Sequence, residues 1–222
     1  MRLARLLPAL LMVLATTLPA QAQTVSRDWF VFLETGRKTP DDIEAVRAMQ
    51  RGHIANFEKR FAEGRLFAAG PLRDPGKHKR GIVVVRAASM EEVRELFQPD
   101  EYVREGYLSL NAHPAIVHKG LNTEGLDPKK MEEVRIIQIS RPTDAQDAAT
   151  TARSRAFLHS LLAQAKVGAW YALESGPLAD VLFVNTQDTA ALELLFANHP
   201  DVLSGASTVA IWGQWFVSGV VR

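Results

Sequence analysis

Three short runs constrain this chain more than any other feature. They are WFVFL at 29–33, GIVVV at 81–85 and VRIIQI at 134–139. Successive side chains of a strand point to opposite faces. A sheet with one wet face therefore alternates apolar and polar residues. These runs are apolar on both parities, so both faces of their sheet need cover. Helices can supply one cover, and a second sheet is the natural supply for the other.

The punctuation between the runs gives an order. Thr39-Pro40-Asp41-Asp42 reads as a helix start, with Thr39 as N-cap and Pro40 in the first turn. Val46, Met49, His53, Phe57 and Phe61 recur at helical spacing, and Gly64 ends that helix. Residues 65–69 read as a short strand turned by Gly70-Pro71, and 81–87 as the next strand. Ser89-Met90-Glu91-Glu92 is a capping box opening a helix through Phe97, and 107–117 closes the unit with a strand. The order β-α-β-β-α-β is that of a ferredoxin-like unit.

The order then begins again. Residues 119–133 are charged and carry Gly120, Gly125 and Pro128, and they read as a linker. Strand 134–139 follows, then a helix opened by Thr143 with Gln146 and ended by Gly168. Strands at 170–173 and 181–184, a helix capped by Asp188 and a strand at 208–217 complete it. GPL at 70–72 and at 176–178 sets the register of the two copies, and LFQPDEYVREG (96–106) matches LFANHPDVLSG (195–205). The expected fold class is α+β: two ferredoxin-like repeats, 23–118 and 134–222, packed sheet to sheet as an intramolecular pseudo-dimer.

Residues 1–22 read as a cleavable leader. Arg2 and Arg5 precede an apolar run at 6–18, and Ala20-Gln21-Ala22 fits a small-x-small cleavage pattern. The expected location is periplasmic or secreted, with no membrane attachment after cleavage. The rest of the chain carries 24 Lys and Arg against 25 Asp and Glu, which argues against nucleic acid as partner. The absence of cysteine excludes disulfides and thiol catalysis. Association of two chains is left open.

HxxNFEKxFxEGRLxxxGPLxD from His53 to Asp74, followed by GIVVV, SxEEVRELF and a Pro-Asp pair, resembles the YCII-related family. The likeness is good over 28–118 and weak over 133–222. It implies ferredoxin-like units that dimerise through their sheets as dimeric α/β barrels, a dimer that a tandem copy would replace. It also implies a dyad of a first-helix histidine and an aspartate after the Gly-Pro turn, here His53 and Asp74. A relative acting on a chlorinated hydroquinone eliminates HCl with such a pair. Pro99-Asp100 stands where the family usually has Asp-Pro, which leaves Asp100 without an assigned role.

By residue type, His53 is either a base oriented by a carboxylate or a structural histidine at the helix–sheet seam. Asp74, before Pro75-Gly76, is either its partner or a turn residue. Arg73, Lys77, His78, Lys79 and Arg80 make a basic loop. Arg73, His78 and Arg80 are the candidates for binding an anionic substrate, against the alternative of a solvated hairpin. In the second copy either His159 or Phe157 falls opposite His53, depending on register, and Asp180 is a match for Asp74 or a turn. This half reads as one that has lost its site. His113 and His118, five apart on a strand, face opposite sides, and His199 suits a helix end. No metal set and no cofactor fingerprint is present. Two readings remain: a cofactor-independent lyase or isomerase acting on a small aromatic or phenolic molecule, and a non-catalytic binding or scaffold protein of the cell envelope.

Overall fold

The structure is a computed structural model that describes residues 25–141 and 148–222. The leader at 1–22 and the Thr143–Gln146 capping box lie outside the described residues. In chain order the elements are β1 (Arg27–Thr35), α1 (Ile43–Ala62), β2 (Leu66–Arg73), β3 (Lys79–Ala87), α2 (Met90–Phe97), α3 (Glu101–Arg104) and β4 (Leu108–Lys119). They continue as β5 (Met131–Ser140), α4 (Ala148–Ala163), β6 (Ala169–Leu173), β7 (Leu178–Val184), α5 (Thr189–Phe196), α6 (Pro200–Leu203) and β8 (Thr208–Val217).

The strands close into one antiparallel barrel in the order β1-β3-β2-β8-β5-β7-β6-β4. The first half runs β4-β1-β3-β2 and the second repeats that order as β8-β5-β7-β6. Each half covers the inner face of the other, as the doubly apolar strands require. The halves are also joined edge to edge, by β2 with β8 and by β4 with β6. That closure follows from the backbone: an open edge leaves a row of N–H and C=O groups unpaired.

Parity along β1 shows the two covers. Phe30 and Phe32 point into the barrel with Ile82, Val84, Val181, Phe183 and Phe216. Trp29, Val31 and Leu33 point outward to Val93, Leu96 and Phe97 of α2, with Phe57 of α1. On the other side Ile137, Ile139 and Leu182 meet Leu158 of α4 and Phe196 of α5. The stripe on α1 is shorter than its spacing suggests. Met49 is 2% exposed but Phe61 is 41% exposed. The helix starts later too, with Asp42 rather than Thr39 as N-cap, accepting from the amides of Glu44 and Ala45.

Gly70-Pro71 is not the turn. Both residues lie inside β2, where Gly70 pairs with Ile82 and Pro71 with Gly81. Gly70 sits where β8 crosses: a Cβ there would lie 1.9 Å from the Trp215 carbonyl oxygen. Gly213 meets the seam from the other side, where a Cβ would lie 2.3 Å from a Glu133 carboxylate oxygen. In the second half Gly176 (φ +77) does lie in the β6–β7 hairpin, so the two GPL triplets are not structural equivalents.

The real turn of the first hairpin is built by Asp74. Its Oδ1 accepts from the Gly76 amide at 2.8 Å, and its Oδ2 from the amides of His78 at 2.9 Å and Lys79 at 2.8 Å. Burial pushes this carboxyl up, but the three amides outweigh it and hold it below the usual value of 3.8.

Two outcomes follow. Gly70→Ala is expected to cost about 3 kcal/mol in a urea titration, because the seam must open to admit a methyl group. Asp74→Asn is expected to lower the melting temperature at pH 7. A depressed folded-state pKa contributes stability above the unfolded value and loses it as pH falls through the folded one. The gap between wild type and Asp74→Asn should therefore close at acid pH; a gap constant with pH would contradict the turn assignment.

Candidate functional site

His53 lies on the inward side of α1, and the carboxylate it meets is Asp100. The distance from His53 Nδ1 to Asp100 Oδ2 is 2.6 Å. The His53 side chain is 12% exposed and that of Asp100 is fully buried. Pro99 has no amide to continue α2, and Asp100 then caps α3, its Oδ1 accepting from the Tyr102 amide at 3.0 Å. One carboxylate thus starts a helix with one oxygen and holds an imidazole with the other.

The surroundings fix the imidazole. Its ring centroid is 4.2 Å from Phe57 and 5.6 Å from Tyr102, the latter at 90°. The Tyr102 hydroxyl donates to the Val46 carbonyl at 3.3 Å. Asn56 and Arg60 both donate to the Leu96 carbonyl, at 3.1 and 3.2 Å, tying α1 to the end of α2. Burial and the Asp100 charge push the Tyr102 phenol up, while the Arg80 charge acts the other way. Because carboxylate oxygen only accepts, a neutral His53 bonded this way carries its proton on Nδ1 and presents the Nε2 lone pair.

The predicted residues separate. Asp74 spends both oxygens on its own turn and is not the partner of His53. A turn aspartate and a dyad aspartate read alike in sequence; counting backbone donors separates them. Arg73 lies at the β2–β8 seam, 3.4 Å from Glu133 and over the Trp215 ring at 5.6 Å. His78 is exposed, with Nε2 3.2 Å from Glu34. Of the three, Arg80 is the one whose charge acts on the Tyr102 phenol beside His53. Lys79, a basic-loop residue whose sequence context gives no sign of a buried role, turns inward and donates to Gln138 Oε1 at 2.9 Å, with its ammonium 4.1 Å from the Phe32 ring centroid. Burial depresses its pKa.

The second half carries a different set at the matching place. Gly64 (φ +66) and Ala165 (φ +53) are the left-handed residues that follow α1 and α4, each with the same pair of closing hydrogen bonds. In that register Ser154, not His159 or Phe157, stands opposite His53. An alanine in the position that favours glycine hid the register. The Ser154 hydroxyl donates to Asp201, which is buried and also accepts from Arg141 Nε at 3.1 Å. Arg141 Nη2 reaches Asp180 at 2.9 Å, and Trp170 Nε1 donates to Asp180 at 2.8 Å. Asp180 is therefore part of a buried ionic network inside β7, not a turn residue. His199 caps α6 as Asp100 caps α3, and burial depresses its pKa.

His113 points inward, its Nδ1 2.9 Å from the Ser175 carbonyl, and burial lowers its pKa. His118 stacks on Trp170 outside the barrel at 3.7 Å. Among the described residues no three His, Asp or Glu side chains gather as a metal set.

No curated protein matches the sequence. Solved structures resemble the fold across most of the chain. A mutant chlorite dismutase from Candidatus Nitrospira defluvii has a TM-score of 0.55 at 11% identity, covering 87% of this chain and 92% of its own. A haem-binding protein from Thermus thermophilus has a TM-score of 0.51 at 11% identity, covering 88% and 95%. A provisionally assigned monooxygenase from Lactobacillus acidophilus has a TM-score of 0.53 at 10% identity, covering 88% and 98%. These likenesses establish the dimeric α/β barrel fold and nothing finer. Residues 30–110, the stretch from β1 through the His53–Asp100 pair into β4, match the YCII-related domain, and the chain that carries this match has a dimeric α/β barrel fold.

Proposed function

We propose that the protein is an exported enzyme that moves a proton on a small aromatic or phenolic molecule, as a lyase or isomerase, with His53 as the base. The observation that carries this reading is the 2.6 Å contact between His53 Nδ1 and fully buried Asp100. Asp100 holds the tautomer and supports the imidazolium that forms. His53 Nε2 removes a proton from the substrate; the freed pair then forms a double bond as a leaving group departs, or the proton returns to another atom. Positioned bases of this kind contribute about 10²- to 10⁴-fold. Arg80 is the cation that would steady a phenolate or enolate oxygen. We further propose that the two halves stand in for the two subunits of a dimer, and that residues 1–22 direct export.

One structural neighbour binds haem. The described residues here do not suit that group. The layers between helices and sheet are filled on one side by Val31, Val83, Val93 and Phe97 and on the other by Ile137, Leu158, Leu182 and Phe196, all at most 1% exposed. A flat macrocycle would have to displace them.

One observation favours the alternative of a non-catalytic binding or scaffold protein. A cavity of about 380 Å³ is lined by neither His53 nor Asp100. On that reading the dyad only ties α1 to α3.

The two readings part on His53→Gln, whose amide still reaches Asp100. Against a panel of chlorinated hydroquinones and catechols, chloride release is expected to fall at least ~100-fold in His53→Gln, with little change in melting temperature. Asp100→Asn should reduce turnover about 10- to 100-fold and shift the His53 ring ¹⁵N signals away from the Nδ1–H tautomer. A wild-type protein inactive across the panel, with ring signals that ignore Asp100→Asn, would overturn the catalytic reading.

A further inference from the structure

The cavity of about 380 Å³ lies at the end of the barrel where β1 and β2 begin and β3 and β4 finish, the opposite end from Arg80. Asp28, Phe67, Arg86, Val117 and Tyr171 supply strand walls, and Leu121, from the connection between β4 and β5, forms its cover. We propose that this cavity is a second small-molecule site, separate from His53, that takes an uncharged hydroxylated aromatic molecule.

Size sets the first limit. An apolar cavity of ~150 Å³ accepts benzene. This one is more than twice as large and within the ordinary range for ligand sites of roughly 300–1,000 Å³. A two-ring molecule is the matching scale.

Charge sets the second. Arg86 Nε and Nη2 both donate to Asp28 Oδ1, at 3.0 and 2.8 Å. The pair neutralises itself, so the wall offers no net charge to a carboxylate or an ammonium. The guanidinium also lies over the Phe67 ring at 4.6 Å, giving a flat surface on which an aromatic ring can stack.

The hydrogen-bonding groups set the third. The Tyr171 hydroxyl accepts from the Leu121 amide at 3.0 Å, and among the described residues its own hydrogen has no acceptor. Burial drives this phenol well above its usual range, so it stays protonated and remains a donor. Arg86 Nη1 is a second donor without a partner among the described residues. Asp28 Oδ2 is an acceptor in the same position. A ligand hydroxyl both accepts and donates, and so answers both sets. The hydrocarbon walls of Phe67, Val117 and Leu121 match the ring.

The probe is 2-naphthol, followed by equilibrium dialysis against the full chain, with 2-naphthoate as the charged comparison. Saturable one-to-one binding of 2-naphthol is expected, with 2-naphthoate weaker. Tyr171→Phe should weaken binding roughly three- to tenfold by removing one hydrogen bond. Val117→Phe, on the half-open rim where the fold tolerates bulk, should abolish it by filling the space. His53→Gln should bind 2-naphthol as the wild type does, which separates this site from the proposed proton-transfer site. Absence of saturable binding, or binding unchanged in Val117→Phe, would overturn the proposal. Loss of binding in His53→Gln would overturn the separateness of the two sites.

Discussion

The strand sequences leave the barrel little freedom, because the central side chains of β1, β3, β5 and β7 are apolar on both faces and must be hidden. Phe30 and Phe32 need a roof on one side, and Trp29, Val31 and Leu33 need one on the other. Two helix layers and one shared interior meet both demands at once. Pairing β2 with β8 and β4 with β6 then removes the four exposed strand edges that two separate sheets would keep. The seams have their own requirement, which is space. Gly70 and Gly213 provide it from opposite sides of the β2–β8 crossing. The motif that looks like a turn in sequence is there to let another strand pass.

The dyad is a product of the same packing. Asp100 lies in the three-residue link between α2 and α3, and its burial is tolerable there because both its oxygens are used. A buried carboxylate left unpaired would be costly. His53 therefore gives Asp100 its second partner, and Asp100 gives His53 its orientation. The second half meets the same burial problem at Asp201 with Ser154 and Arg141 instead. A hydroxyl and a guanidinium satisfy a carboxylate as well as an imidazole does, but neither is a base at neutral pH. The two halves thus share a backbone plan and a buried acid while differing in chemistry.

The barrel also has two unlike ends. One gathers Glu34, Lys79, His113 and Gln138, with the Lys79 ammonium held over the Phe32 ring. The other gathers the Asp28–Arg86 pair, Tyr171 and the cover from the β4–β5 connection. Between them the interior is closed by aromatic rings, Phe30 with Phe32, Tyr171 and Phe183.

The sequence by itself determined the order of the eight strands and the four longer helices, the need for cover on both sheet faces and the presence of a histidine on the buried side of the first helix. These depend on local periodicity and on apolar parity, which are written residue by residue. The partner of that histidine was not legible. Asp74 and Asp100 stand 21 and 47 positions beyond His53, and both precede or start a tight structure. Only the folded chain shows that three backbone amides occupy Asp74, whereas Asp100 keeps one oxygen for the imidazole. The register of the second half was hidden for a similar reason. Ala165 takes a left-handed conformation that sequence assigns to glycine, held by closing hydrogen bonds to residues 161 and 162 that exist only once the helix has formed. Tertiary structure decided each of these points, because a carboxylate's role is set by which donors reach it in space.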